Sequence, residues 1–233
     1  YYKPLIILAI FGLVAHSISI GVRWDRIGHG PFINLYEILT SNVWNLFLGI
    51  TLFFIFFRQM TRVFWCLIPV IFIMMLWLLS TSPKETFLPP TYDTIWLYFH
   101  VFTGKFFFTL LFLASGLAFC ALLTKADQEP SLQQQGYITL AYTFLALAFV
   151  FESFMLFFGA IWAQDAWGRY WAWDPLETWS FLTWLCVAFT LHFQVRFKKG
   201  KLFLWLILGC FTLAFLTFYG VPFISTAPHQ GMI

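Results

Sequence analysis

Charge is scarce in this sequence. Thirteen Lys and Arg and ten Asp and Glu occur among 233 residues, so 10% are charged, against about a quarter in a soluble globular chain. That deficit excludes an ordinary water-soluble domain and points to lipid as the solvent. The formal net charge is only +3 and the basic residues fall in short clusters rather than a stripe, which excludes nucleic acid as a partner and suits membrane orientation signals. Cysteine is sparse as well. Cys66, Cys120, Cys186 and Cys210 all lie in apolar runs, with no CxxC and no CxxCH. The chain therefore carries no thioredoxin-type motif and no covalent cofactor-attachment motif, and each cysteine reads as a small buried hydrophobe. No HExxH and no glycine-rich phosphate loop occurs, and no Ser–His–acid triad can be argued. No catalytic residue is assigned.

What the chain has is oil and rings: 61% hydrophobic residues, with 32 Phe and 12 Trp. A spanning helix needs about 20 mostly apolar residues. Seven runs qualify, at 4–22, 36–57, 62–80, 94–124, 136–163, 177–197 and 201–220. The first lacks a small-residue cleavage site and is long enough to span, so it reads as a helix and not a signal peptide. The expected fold is all-α: a polytopic membrane bundle of about seven transmembrane helices, in a single domain over 1–233. Lys3, Arg58, Arg62, Lys125, Arg196, Lys198, Lys199 and Lys201 then collect on one side, and Arg23, Arg26, Lys84 and Arg169 on the other. The positive-inside rule puts the N-terminus in the cytoplasm and the C-terminus outside.

The densest feature is WGRYWAWDPLETW at 167–179. Interfacial belts of Trp and Tyr are usual in membrane proteins, but a belt spreads around a protein at one depth. Here Trp162, Trp167, Tyr170, Trp171, Trp173 and Trp179 crowd into 18 residues with Asp165, Arg169, Asp174 and Glu177 among them. Asp174 before Pro175, with Glu177 in the first turn, reads as a helix N-terminus. Flat rings beside a cation suit a large planar ligand with an anionic edge. Haem is one: it offers a porphyrin face, two propionates, and an iron that takes histidine axially. His29, His100 and His229 are expected on the same outer side. Arg169, with Arg23 or Arg26, would face the propionates.

The string WGRYWAWDPLETWSFLTWL resembles the tryptophan-rich WWD signature of haem-handling proteins of cytochrome c assembly, with AIWAQDAWG before it. Within that group the chain is most similar to the CcsA (ResC) family, the membrane subunit of the System II cytochrome c synthase. GHGPFINLYEIL at 28–39, WLYFHVFTGKFFF at 96–108, FTLHFQVRF at 189–197 and FYGVPFISTAPHQG at 218–231 fit other blocks of that family, in order. The tail reads TAPHQ where the family has GLHSY, so His229 is carried over by position. The resemblance implies non-covalent haem b over the 162–179 segment, with His100 and His229 as iron ligands and His192 as a ligand within the membrane. Trp162, Trp167, Arg169, Tyr170, Trp171, Trp173, Asp174 and Trp179 would be the binding surface. It further implies haem delivery across the membrane and attachment to CxxCH thiols of an apocytochrome c, within a thioether-forming haem-lyase complex. The partners would be a CcsB (ResB) subunit and the apocytochrome. The membrane would be a bacterial cytoplasmic or a thylakoid membrane, with the haem site on its periplasmic or lumenal side.

Two further histidines are weaker candidates. His16 would lie about 18 Å from the inner helix end and His192 about 8 Å from its own, at about 1.5 Å per residue, so they are poorly matched as ligands of one iron. His29 sits between two glycines, beside an Asn34–Glu37 capping box. Lys105 and Glu152 are charges within apolar runs, and each is a possible partner for the other. An alternative function is a b-type electron-transfer subunit between the quinone pool and an outer multihaem cytochrome.

Overall fold

A computed structural model of the chain describes residues 2–85, 87–124, 131–197 and 200–221. Among these residues there is no strand. The α-helices are α1 (Tyr2–Ile27), α2 (Leu35–Phe56), α3 (Thr61–Ser80), α4 (Ile95–Leu123), α5 (Leu132–Trp167), α6 (Pro175–Phe197) and α7 (Gly200–Tyr219). Each of the seven expected runs is helical. Six helices are long and apolar enough to cross a membrane: α1, α2, α3 with the short turn before it, α4, α5 and α7. The sixth run, α6, has the length, about 34 Å at 1.5 Å per residue. Its Glu, Thr, Gln and His residues leave it outside that apolar set. The chain is a polytopic helical membrane protein. Lys125, Lys198, Lys199 and His229 lie outside the described residues.

The helices form two compact units, the first running to Pro89 and the second starting at Pro90. In the first, α2 is the centre. It buries Leu39, Val43, Leu46, Ile50 and Phe53, spaced three and four apart as one helix face requires. Val63, Leu67, Ile71 and Met74 of α3 are buried at the same spacing. α1 is mostly exposed and apolar, and a hydrogen bond holds it: Trp44 Nε1 donates to Ser17 Oγ at 2.8 Å. α1 continues five residues past its expected end and stops at Gly28, whose φ of 79° is the left-handed turn that glycine allows. Arg23 and Arg26 are therefore helical, not loop residues.

That extension places Arg23 against α2. Arg23 Nη2 donates to Glu37 Oε1 at 2.8 Å and to the Lys84 carbonyl at 3.0 Å, and Nη1 donates to the Pro83 carbonyl at 3.0 Å. Glu37 is fully buried. It also closes the expected capping box: its N–H donates to Asn34 Oδ1 at 2.8 Å, and its Oε2 accepts from Ile33 N at 3.1 Å. One carboxylate thus ties α1, the start of α2 and the 83–84 segment together. Arg23 is consumed in this knot and is not a propionate ligand in waiting, as the sequence allowed.

In the second unit α4 is the most enclosed helix. Its small residues Ala114, Ser115, Gly116, Ala118 and Ala121 are buried, the composition that lets membrane helices approach closely. At Gly104 an added Cβ would stand 2.9 Å from Met155 Sδ of α5. Phe107, Phe108 and Phe112 meet Phe211 and Phe218 of α7. α6 is joined to α7 by Thr183 and Thr217, hydroxyls 3.1 Å apart, and to α5 by Trp184 Nε1 donating to Ser153 Oγ at 2.9 Å. Glu152 of α5 is fully buried, and neither carboxyl oxygen has a hydrogen-bond partner among the described residues. The Lys105–Glu152 pair that the sequence permits therefore does not form. α5 has 36 residues, about 54 Å at 1.5 Å per residue, well beyond the roughly 30 Å hydrocarbon core of a bilayer.

Candidate functional site

The start of α4, the end of α5 and the start of α6 build one end of the second unit. His100 stands in the second turn of α4. Its Nδ1 is 2.9 Å from the Met155 carbonyl of α5. A carbonyl oxygen only accepts, so Nδ1 carries the proton and the neutral ring has its lone pair on Nε2. A ring nitrogen that donates to a backbone carbonyl fixes the tautomer and orientation of the imidazole, as it does in metal-ligating histidines. The ring also stacks on Trp162, with centroids 6.0 Å apart and planes 14° apart. Gly159 makes the approach possible, since a Cβ there would stand 2.6 Å from His100 Nδ1.

Trp162 is fixed in turn. It is 2% exposed, and its Nε1 donates to the Tyr92 carbonyl at 3.1 Å. Tyr92 and Trp167 meet it edge-on, with centroids at 5.4 and 5.1 Å. These two tryptophans of the crowded segment thus form the wall behind His100, not a flat open face.

The rest of the segment is the junction between α5 and α6. α5 ends at Gly168, φ 77°, whose N–H donates to Gln164 O at 2.9 Å. The chain then runs to Asp174, which caps α6 as its sequence suggests. Glu177 N donates to Asp174 Oδ1 at 2.9 Å, and Glu177 Oε2 reaches back to accept from Ala172 N at 2.7 Å. That return bond holds Trp171 and Trp173 on either side of Ala172, edge-to-face with centroids 5.7 Å apart. Trp173 has φ 57°, a left-handed conformation uncommon for a bulky residue. Tyr170 and Trp173 are exposed, Trp171 and Trp179 half-buried. Asp174→Ala should cost about 1 kcal/mol. Unfolding of the solubilised protein in a denaturant series would measure it, and an unchanged midpoint would mean that Asp174 does not cap α6.

The remaining candidates divide between the two units. His192 of α6 is exposed, and its Nδ1 lies 2.8 Å from the Ala188 carbonyl one turn back. Its lone pair is thereby placed on Nε2, as in His100. His16 of α1 is half-buried. His29 is 3% exposed, with Nδ1 2.9 Å from the Gly30 carbonyl, and it packs inside the turn it was expected to decorate. Arg169 is exposed and makes no ion pair with any described residue.

These residues fit a haem. His100 supplies an oriented nitrogen, Trp173 and Tyr170 exposed rings, and Arg169 a cation with no ion pair among the described residues. Trp171 Nε1 is buried with no acceptor among the described residues. A buried orphan donor and an exposed cation are each suited to a carboxylate oxygen. Sequence reasoning missed Met155, Gly159 and Tyr92. Met155 acts through its carbonyl and Gly159 through the lack of a side chain, which residue type does not signal, and Tyr92 acts through both its carbonyl and its ring.

Residues 32–229 of the chain match the family described as Cytochrome C assembly protein. Among curated proteins, the chain is 33% identical over 208 residues to the cytochrome c biogenesis protein CcsA of Chlamydomonas reinhardtii, covering 84% of this chain and 58% of that one. It is 27% identical to the CcsA of Guillardia theta, covering 95% of this chain and 83% of that one. To Protein NrfI of Wolinella succinogenes it is 31% identical over 92% of this chain, which spans 24% of that protein.

Proposed function

The chain belongs to the cytochrome c assembly protein family, and from that premise we propose that it serves cytochrome c biogenesis by holding haem at the His100 end of its second unit. The observation that carries this reading is the Nδ1 bond of His100 to the Met155 carbonyl, which readies Nε2 for an iron. Haem is cargo here, and its vinyl groups supply the electrophiles that CxxCH thiols of an apocytochrome c convert to thioethers. His100 binds, with His229 as the second ligand carried over from the family resemblance. Trp171 Nε1 and Arg169 take the anionic edge. Trp173 and Tyr170 present the open faces to haem or to the incoming peptide. Trp162, Tyr92 and Trp167 keep water off the back of the imidazole. What the chain contributes is placement of two reactants in a dry corner.

His192 belongs to a second haem position within the membrane. It is exposed on α6 with its tautomer set, so the other ligand comes from outside this helix pair. A CcsB-like subunit is the proposed source. The orientation is N-terminus in, which puts the His100 end on the periplasmic or lumenal side of a bacterial or thylakoid membrane.

The test is haem quantitation with reduced-minus-oxidised spectra, alongside cytochrome c maturation in a host without its own assembly system. Wild type should carry b-type haem below one per chain and mature the cytochrome. His100→Ala should lose the haem and the maturation together, and added imidazole should restore part of both. Absence of haem from wild type would sink the reading. Tightly held stoichiometric haem with normal maturation in the variant would favour a b-type electron-transfer subunit instead.

A further inference from the structure

Two cysteines of the second unit meet well away from His100. Cys186 is midway along α6 and Cys210 midway along α7, and their Sγ atoms are 3.4 Å apart. Both are free thiols. Thr190 steadies the pair: its Oγ1 donates to the Cys186 carbonyl at 2.8 Å and lies 3.2 Å from Cys210 Sγ. Glu152 of α5 contributes a buried carboxyl with no hydrogen-bond partner among the described residues. Cys186 and Cys210 are ionisable groups within its electrostatic reach.

Packing alone accounts for part of this seam. Small polar residues are common between membrane helices, and Thr183 with Thr217 one layer away is such a contact. Glu152 is different. A carboxyl in this position is expensive in either protonation state when nothing bonds to it, and the two thiols within its electrostatic reach are side chains that give up protons when oxidised. From 3.4 Å the sulfurs need close by only about 1.4 Å to reach the roughly 2.0 Å of a bond.

We propose that Cys186 and Cys210 are a reversible dithiol–disulfide couple inside the membrane that exchanges two electrons with a lipid-soluble quinone. In the oxidising direction two S–H bonds break and one S–S bond forms. The two electrons and two protons reduce the quinone to hydroquinone. Both cysteines lie about 15 Å from either end of their helices at 1.5 Å per residue. Water-soluble thiols and disulfides do not reach that depth, and an apolar two-electron carrier does. Cys186 is half-buried and Cys210 buried, so Cys186 is the sulfur a carrier approaches. Glu152 accepts a thiol proton at one oxygen while releasing its own from the other, and so relays protons without becoming charged.

The test uses the whole chain in quinone-free nanodiscs, first fully reduced. It is then exposed to duroquinone, whose ring carries no free position for thiol addition. After denaturation, a mass-tagged maleimide counts thiols. Reduced protein should take four tags and quinone-treated protein two, retained on Cys66 and Cys120, and dithiothreitol added after denaturation should restore all four. Cys186→Ser and Cys210→Ser should each keep three tags throughout. Glu152→Gln should slow the loss by about tenfold or more while reaching the same end point, which a merely structural carboxyl would not do. Four tags persisting in quinone-treated wild type would overturn the proposal, as would loss of tags in Cys186→Ser. Pairing with diamide but not with duroquinone would overturn the quinone as co-reactant.

Discussion

Gly159→Ala should weaken haem binding by about 10- to 100-fold although residue 159 touches no ligand. The new methyl would stand 2.6 Å from Nδ1 and 2.9 Å from Cε1 of His100, both well inside contact distance. His100 cannot give way cheaply, because Trp162 stacks on the ring and Met155 holds its proton. To make room the imidazole must leave the Met155 carbonyl, and it then loses both its tautomer and its aim. Haem titration of the solubilised protein, read at the Soret band, compares this variant with wild type. A ring that merely packed would let the variant bind haem as wild type does. Leu at Met155 should be mild in the same assay, since the interaction runs through the backbone.

Glu37→Gln should be the most destabilising single change in the first unit. It leaves Arg23, whose side chain is 12% exposed, as a buried cation without its counter-charge. Breaking one side of such a pair costs about 3–5 kcal/mol. The amide also reverses one hydrogen bond: an NH2 in place of an oxygen meets either the Ile33 N–H or the Arg23 guanidinium. Unfolding in mixed micelles should show the loss. A change below about 1 kcal/mol would mean that the pair behaves as a solvated surface bridge. Arg26→Ala is the control, because Arg26 and Glu85 form an exposed pair at 3.0 Å.

The contrast between Glu37 and Glu152 shows what can be read from residue order. Glu37 follows Asn34 by three at the head of an apolar run, and Glu177 follows Asp174 by three. Local spacing fixes both helix caps, and both form. The spans are legible for the same reason: long apolar runs give their own ends to within a few residues. α1 overran its expected end because Arg23 and Arg26 were counted as loop charges, whereas a partner 14 residues away carries Arg23 into the helix. Rotation of one helix against another leaves no such trace. Opposite charges at 105 and 152 suggested a pair, yet neither Glu152 oxygen has a hydrogen-bond partner among the described residues. Cysteines 24 positions apart gave no CxxC to notice. The tryptophans were recognisable as a cluster, but not which would stand edge-on behind His100 and which would be left open. Contacts from Tyr92, 70 residues upstream of Trp162, decide that.

Trp173 is where two demands on the chain collide. Its left-handed backbone would suit glycine, which adopts that conformation without a steric penalty. Relaxing the turn in this way removes a ring that is 65% exposed and that contributes little to the core. A sequence selected only for durability would drift toward glycine at this position, and one selected for its work would resist. Residue 173 is thus a site of permanent compromise, where the fold accepts strain to keep an aromatic surface turned outward.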